Sequence, residues 1–301
     1  MITDEELLRL NKEGFIPGPN ENERDFLKRI DFSKTLIKNP KSFFENHEQN
    51  QPFDLDNRVL KPRWNWTRAK LLNLFDVSPT TLALYYSDKE LHFFQAAATW
   101  IIEVSKNSIK IPVLQFRKKL RHKPYLFIYT LDEILAHEAI HSIRIAFDEP
   151  KTEEIFAFMS ATSFFRKIFG PIIRSEKEVF IFFALMGGYF VFQIFFILSS
   201  LTFLSYIATF FAFLTLTYLS LGLIRLFHIR RKLKKTFKKL FKIFGCKKKA
   251  RTVLFRLTDE EIFKFSRFKK NEITKYFKIS KDESLRLRLI HLAYFEDINK
   301  I

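Results

Sequence analysis

A single cysteine, Cys246, stands in 301 residues. It excludes an intramolecular disulfide framework and any cysteine-rich metal site. Acidic residues are missing from the whole stretch between Arg225 and Arg251, and between Val179 and Ile224 there is no Asp, Glu, Lys, Arg or His at all. The opening Met1-Ile2-Thr3-Asp4-Glu5-Glu6 has no basic run leading into an apolar one, so no signal peptide is expected and the N-terminus is expected to stay in the cytoplasm. The length is ample for one buried core and a site.

The uncharged stretch is the most decisive feature present. A spanning helix needs about 20 apolar residues, so this stretch supplies two spans, near 179–199 and 203–224, with a turn at Ser199-Ser200-Leu201-Thr202. Gly187 and Gly188 on one span, with Ser205 and Ala208 on the other, are small enough for close approach. Arg166, Lys167, Arg174 and Lys177 precede the pair, and Arg225, Arg230, Arg231 and Lys232 follow it. Positive flanks stay inside. The expected location is therefore the plasma (inner) membrane of a bacterium, multi-pass with both termini cytoplasmic. Two spans without an internal charge offer no ion pathway to a transporter unless the protein oligomerises.

The net charge of +18 is concentrated beside the apolar stretch. That position favours anionic lipid headgroups over nucleic acid as the partner. Leu226, Leu233, Phe237, Leu240, Phe241 and Phe244 recur at helical spacing among the lysines. The pattern predicts a basic amphipathic juxtamembrane segment over 229–251, lying on the cytoplasmic surface.

The fold class expected is α+β, mostly helical. It comprises a soluble domain over 1–175 with a small sheet, a transmembrane hairpin over 176–228, the basic segment, and a small helical C-terminal module over 252–301. Thr3 with Glu6, Thr130 with Glu133, Thr258 with Glu261 and Ser280 with Glu283 have capping-box spacing. Helices are predicted from Thr3 to before Gly14 and from Asn20 to about Ile30, and residues 31–62, which hold Pro40, Pro52 and Pro62, read as loop. Thr81–Tyr86 reads as a strand, Phe93–Val104 as an apolar helix, and Ile109–Phe116 as a strand that Pro112 confines to an edge. The basic run Arg117–Lys123 reads as a solvated loop.

The chemistry centres on His137-Glu138-Ala139-Ile140-His141, in a run from Thr130 to Asp148 without Gly or Pro. Histidines four apart leave one helix face together, so two imidazoles can grip one zinc ion. The intervening Glu138 stands beside the open coordination position, where it can take a proton from attacking water and pass it to a leaving amine. Pro150 ends this helix, and Lys151-Thr152-Glu153-Glu154 opens the next, so a carboxylate near its start can fold back to the imidazoles. Glu153 and Glu154 are the candidates. Arg144, three residues past His141, could pair with Glu153 as a brace behind the ligands.

This arrangement resembles the gluzincin class of zinc metallopeptidases, in which HExxH is followed by a Glu on the next helix. Glu154-Ile155-Phe156-Ala157 is similar to the Glu-x-x-Ala of the membrane-bound HtpX and Ste24 group, with Phe158 where that group commonly carries Asp. The resemblance covers about residues 125–160. It implies a zincin-like soluble domain, a Zn2+ cofactor, ligands His137, His141 and Glu154, Glu138 as catalytic base and acid, and a peptide or protein substrate. By analogy with gluzincins, Ile111–Phe116 would be the strand on which an extended peptide aligns. A single helix from Lys151 to Gly170 would then hold the zinc on the order of 25 Å from the bilayer, at about 1.5 Å per residue. The alternative is a non-catalytic membrane scaffold recruiting a partner or anionic lipid through its basic and C-terminal segments.

Overall fold

The computed structural model describes residues 2–46, 54–104 and 109–296. The chain is mostly helical, with one small open sheet and two long apolar helices. Helices α1 (Asp4–Lys12), α2 (Glu23–Lys38), α3 (Pro40–Asn46) and α4 (Asn65–Phe75) lead into the sheet. Thr3 caps α1 by accepting from the Glu6 N–H, and Gly14 follows its end at φ 91°. Asn22, rather than Asn20, caps α2. The loop expected from residue 31 is a correction. Phe26, Ile30 and Leu36 keep one buried face going, so α2 runs on to Lys38 and α3 follows at once.

Strands β1 (Ala83–Tyr86), β2 (Ala97–Val104) and β3 (Ile109–Phe116) form a sheet of order β1-β3-β2. β1 lies parallel to β3, and β2 antiparallel to it. Two expectations fail here. The segment expected as a helix over Phe93–Val104 is strand β2 in its second half, because Ile102 and Val104 alternate inward with Ile101 and Glu103 outward, and eight residues pair with β3. β3 is the central strand, not an edge. Pro112 is tolerated because β1 begins pairing only at Val113, so at Pro112 the strand is paired on the β2 side alone. Residues 57–59 partly cover the outer side of β1 through Val59 N–H to Leu84 O and Tyr86 N–H to Asn57 O. β2 is thus the open edge among the described residues.

Helices α5 (Leu131–Arg144) and α6 (Pro150–Phe158) follow the sheet, and the short α7 (Phe164–Phe169) follows them. Thr130 makes no side-chain cap on α5, and Glu133 instead accepts from the Thr162 N–H and pairs with Arg166 at 2.7 Å. The long helix expected from Lys151 to Gly170 is likewise absent. The chain turns back after Phe158, and Gly170 comes so close to the Phe158 ring that a Cβ there would run into it. The segment that was to hold the site far from the apolar helices brings it close to them.

Helices α8 (Glu176–Ser199) and α9 (Thr202–Phe244) are joined by Ser200 and Leu201 and pack side by side, with Phe192 stacked on Phe211 and Arg225 paired to Glu178 at 2.6 Å. Gly188 faces Phe211, where no larger residue would fit. Both helices are long and apolar enough to cross a membrane, and their outer faces expose large side chains such as Ile197, Leu198, Tyr206 and Phe213.

α9 does not stop at the end of its apolar stretch. It continues unbroken until Gly245, at φ 66°, ends it. Most of the apolar face expected to lie on the membrane surface is instead packed against the C-terminal helices α10 (Lys247–Phe255), α11 (Asp259–Phe265) and α12 (Lys270–Ile279), which α13 (Leu285–Ile290) follows. Leu240 and Thr236 are fully buried, and Thr236 donates to Ile262 O. The C-terminal helices share one core with the N-terminal ones: Leu7, Phe75, Leu135, Phe255 and Leu289 belong to the same buried cluster. Thr258 and Glu261 form a reciprocal capping box, whereas Ser284, not Ser280, caps the last helix. Arg117 and Arg121, read as solvated, are tied down: Arg117 donates to Gln95 O and Leu91 O, and Arg121 stacks over Tyr86.

Candidate metal centre

α5 is fixed by its inner face, where Leu135, Ala139 and Ile140 are wholly buried. Burial of each leucine or isoleucine contributes about 1.5–3 kcal/mol. The opposite face then carries His137, Glu138 and His141 toward α6 and β2. α6 starts at Pro150, whose missing N–H costs nothing in a first turn. Its next donors, the Lys151 and Thr152 N–H groups, are both taken by the Asp259 carboxylate at 3.0 and 3.1 Å, and the Thr152 hydroxyl donates to the same group at 2.5 Å. Asp259 in turn donates its backbone N–H to Glu149 at 2.7 Å. A residue 107 positions away thus sets the first turn of the helix that bears Glu153 and Glu154.

His137, His141 and Glu154 come together as a group that could hold a metal ion. The two Nε2 atoms are 3.3 Å apart. Glu154 Oε1 lies 3.4 Å from His141 Nε2, and its Oε2 lies 3.6 Å from His137 Nε2. Ligands placed tetrahedrally at about 2.0–2.1 Å from one zinc ion are about 3.3–3.4 Å from each other. The spacing of the two Nε2 atoms fits that geometry, and the Glu154 oxygens, at 3.4 and 3.6 Å from one imidazole each, lie close to it. Glu153 does a different job: its Oε1 lies 2.6 Å from His141 Nδ1. With the proton on Nδ1, the Nε2 lone pair of His141 faces the other two ligands.

Glu138 is outside this group, and its Oε2 accepts from the Thr99 hydroxyl on β2 at 2.6 Å. Phe158 packs edge-on against His137 with ring centroids 4.7 Å apart. Arg144 does not reach Glu153. It is wholly buried, donates to Phe255 O and Leu257 O, and pairs with Glu149 at 3.5 Å. Sequence reasoning missed Thr99, Phe158 and Asp259 as parts of the site. Asp259 was hidden because the capping box around it already accounted for an acid there.

The electrostatics follow from enclosure. Burial, with the His141 and Arg166 charges, holds His137 well below the usual imidazole range, so it is neutral and ready to coordinate. Burial also pulls His141 down, but the hydrogen bond to Glu153 and the charges of Glu154, Glu153 and Glu138 outweigh it and lift His141 to about 9. Burial raises Glu154 to about 7 against the His141 charge, and raises Glu138 as well. A half-buried cluster with three carboxyl groups beside two imidazoles favours a cation.

The pH dependence of cation binding follows. Metal must displace the proton that His141 carries below about pH 9, and the one that Glu154 acquires below about pH 7. Apparent affinity for a divalent cation is expected to fall about tenfold per unit as pH drops from 9 to 7, and more steeply below 7. Competition with a chromophoric chelator from pH 6 to 9.5 measures this. A flat profile between 7 and 9 would show that His141 carries no proton there.

No family model, no curated protein and no solved structure matches the chain.

Proposed function

We propose that the protein is a membrane-anchored zinc metallopeptidase of the gluzincin kind, with His137, His141 and Glu154 as ligands and Glu138 as general base and acid. The observation that carries the reading is the convergence of the His137 and His141 Nε2 atoms and the Glu154 carboxylate, from two helices, with Glu153 behind His141. Zinc bound there supplies Lewis-acid polarisation of a peptide carbonyl and acidification of water.

The chain's own groups do the rest. His137 is neutral by burial and needs no proton removed before it binds. Glu138, raised by burial and held by Thr99, takes a proton from the attacking water and delivers it to the amine nitrogen as the C–N bond breaks. The open edge strand β2, which carries Thr99, is the surface on which an extended substrate backbone aligns, in place of the β3 strand that the sequence favoured. α8 and α9 form a hairpin through the bacterial inner membrane. Their positive flanks are the support for a cytoplasmic site and cytoplasmic termini in this reading.

The test is hydrolysis of an unfolded protein such as reduced casein by the detergent-purified full chain. Cleavage is expected to stop with 1,10-phenanthroline and to return with added zinc. Purified protein that neither retains zinc nor cleaves would leave an inert membrane protein in place of the enzyme.

A further inference from the structure

Among the large apolar side chains that the soluble body exposes and the site does not use, one group lies on three segments near the start of α8. Phe93, in the loop between β1 and β2, is 72% exposed. In the turn before α5, Phe127 is 98% exposed, with Leu126 and Ile128 beside it. On α7, Phe164 and Phe165 are both exposed. Separate apolar residues at a surface mean little, but contiguous ones mark an interface.

These three segments are joined to each other and to the base of α8. The Tyr125 hydroxyl donates to Phe93 O, and Arg166 on α7 donates to Ile128 O while stacking over Tyr129. Phe94 packs on Phe180 with centroids 5.8 Å apart, and Phe93 on Phe183 at 6.3 Å. Arg230 on α9 donates to Lys167 O and closes the ring. The apolar surface of α8 thus runs onto the soluble body without a polar gap at Phe93.

The turn at Leu126-Phe127-Ile128 is built to project. Tyr125 and Tyr129 exchange backbone hydrogen bonds at 2.9 and 3.0 Å, which leaves three residues looped out. Leu126 and Phe127 are held at φ 46° and 63°, a left-handed conformation that glycine or asparagine would adopt without strain. Strained bulky residues persist where a surface needs them. Arg117 and Lys119 lie over the Tyr125 ring at the base of this turn, in the basic run 117–123. Basic residues flanking exposed aromatics match the headgroup region of an anionic leaflet.

We propose that Phe93, Leu126, Phe127, Ile128, Phe164 and Phe165 form a membrane-dipping collar that seats the soluble body on the same leaflet that α8 enters. The occupant of this surface is the acyl boundary of an anionic bilayer. The inference rests on α8 and α9 spanning the membrane, and goes beyond it by assigning lipid contact to loops outside the spans.

The experiment uses the full chain with Cys246→Ser, reconstituted in vesicles of phosphatidylcholine and phosphatidylglycerol. An environment-sensitive fluorophore is placed by Phe127→Cys, by Phe213→Cys within α9, and by Ile279→Cys on the exposed end of α12. The probe at 127 is expected to be quenched at least threefold more by a shallow spin-labelled acyl chain than the probe at 279, and to be shielded from aqueous iodide. Equal iodide access at 127 and 279, with lipid quenching at 213, overturns the collar and leaves the spans standing. Absence of lipid quenching at 213 removes the spans, and the collar with them. Phe93→Asp with Phe165→Asp is expected to return the 127 probe to water; if it stays in lipid, the fluorophore and not the collar entered the bilayer, and the proposal falls.

Discussion

Glu138→Gln is expected to lower peptide hydrolysis by about 10²–10⁴-fold, the usual span for a general acid–base group, while leaving bound zinc unchanged. Gln keeps the size of the side chain and an oxygen to accept from Thr99, so the fit between α5 and β2 survives. It cannot take a proton. His137→Ala and His141→Ala remove ligand atoms that stand 3.3 Å apart, and are expected to lose both metal and activity. Glu153→Gln separates the two acidic neighbours. It should weaken zinc about 10–100-fold, as loss of a partner behind a ligand does, whereas Glu154→Ala should remove it. Elemental analysis of each purified variant beside its casein turnover reads the whole set. Loss of zinc in Glu138→Gln, or its retention in both histidine variants, would place the metal elsewhere.

Arg144→Met is expected to cost about 3 kcal/mol of stability, since truncating one side of a buried charged network strands its partners. The Phe255 and Leu257 carbonyls and the Glu149 carboxylate all lose a donor in a region the guanidinium fills completely. Met keeps an unbranched apolar side chain but loses the guanidinium that lies over the Phe147 and Phe156 rings. Denaturant unfolding of the detergent-solubilised chain measures the loss. A brace on Glu153 would behave oppositely: normal stability and weakened zinc.

How far the sequence could be read depends on the range of the forces involved. The apolar pair was legible because absence of charge is a local property, and the structure pairs helices there. The helix bearing His137 and His141 was legible from spacing and from the lack of Gly and Pro, and it runs over Leu131–Arg144. That either Glu153 or Glu154 would face it was visible; which one, and what the other does, depends on the phase of α6, set by Asp259 from across the fold. Strand β2 was misread because Phe93, Phe94, Trp100 and the isoleucines suit a buried helix as well as a strand, and only pairing with β3 decides. The hydrogen bonds of Arg144 were hidden for the same reason, although the Glu153 charge does act on it. Its acceptors lie 111 and 113 residues away, beyond any periodicity.

The unbroken course of α9 has a mechanical consequence. At about 1.5 Å per residue, Thr202–Phe244 makes a rod about 65 Å long, with no proline between its apolar half and the half packed against α10, α11 and α12. One continuous backbone ladder therefore ties the apolar stretch to the core of the C-terminal helices, so a roll of one end is carried to the other.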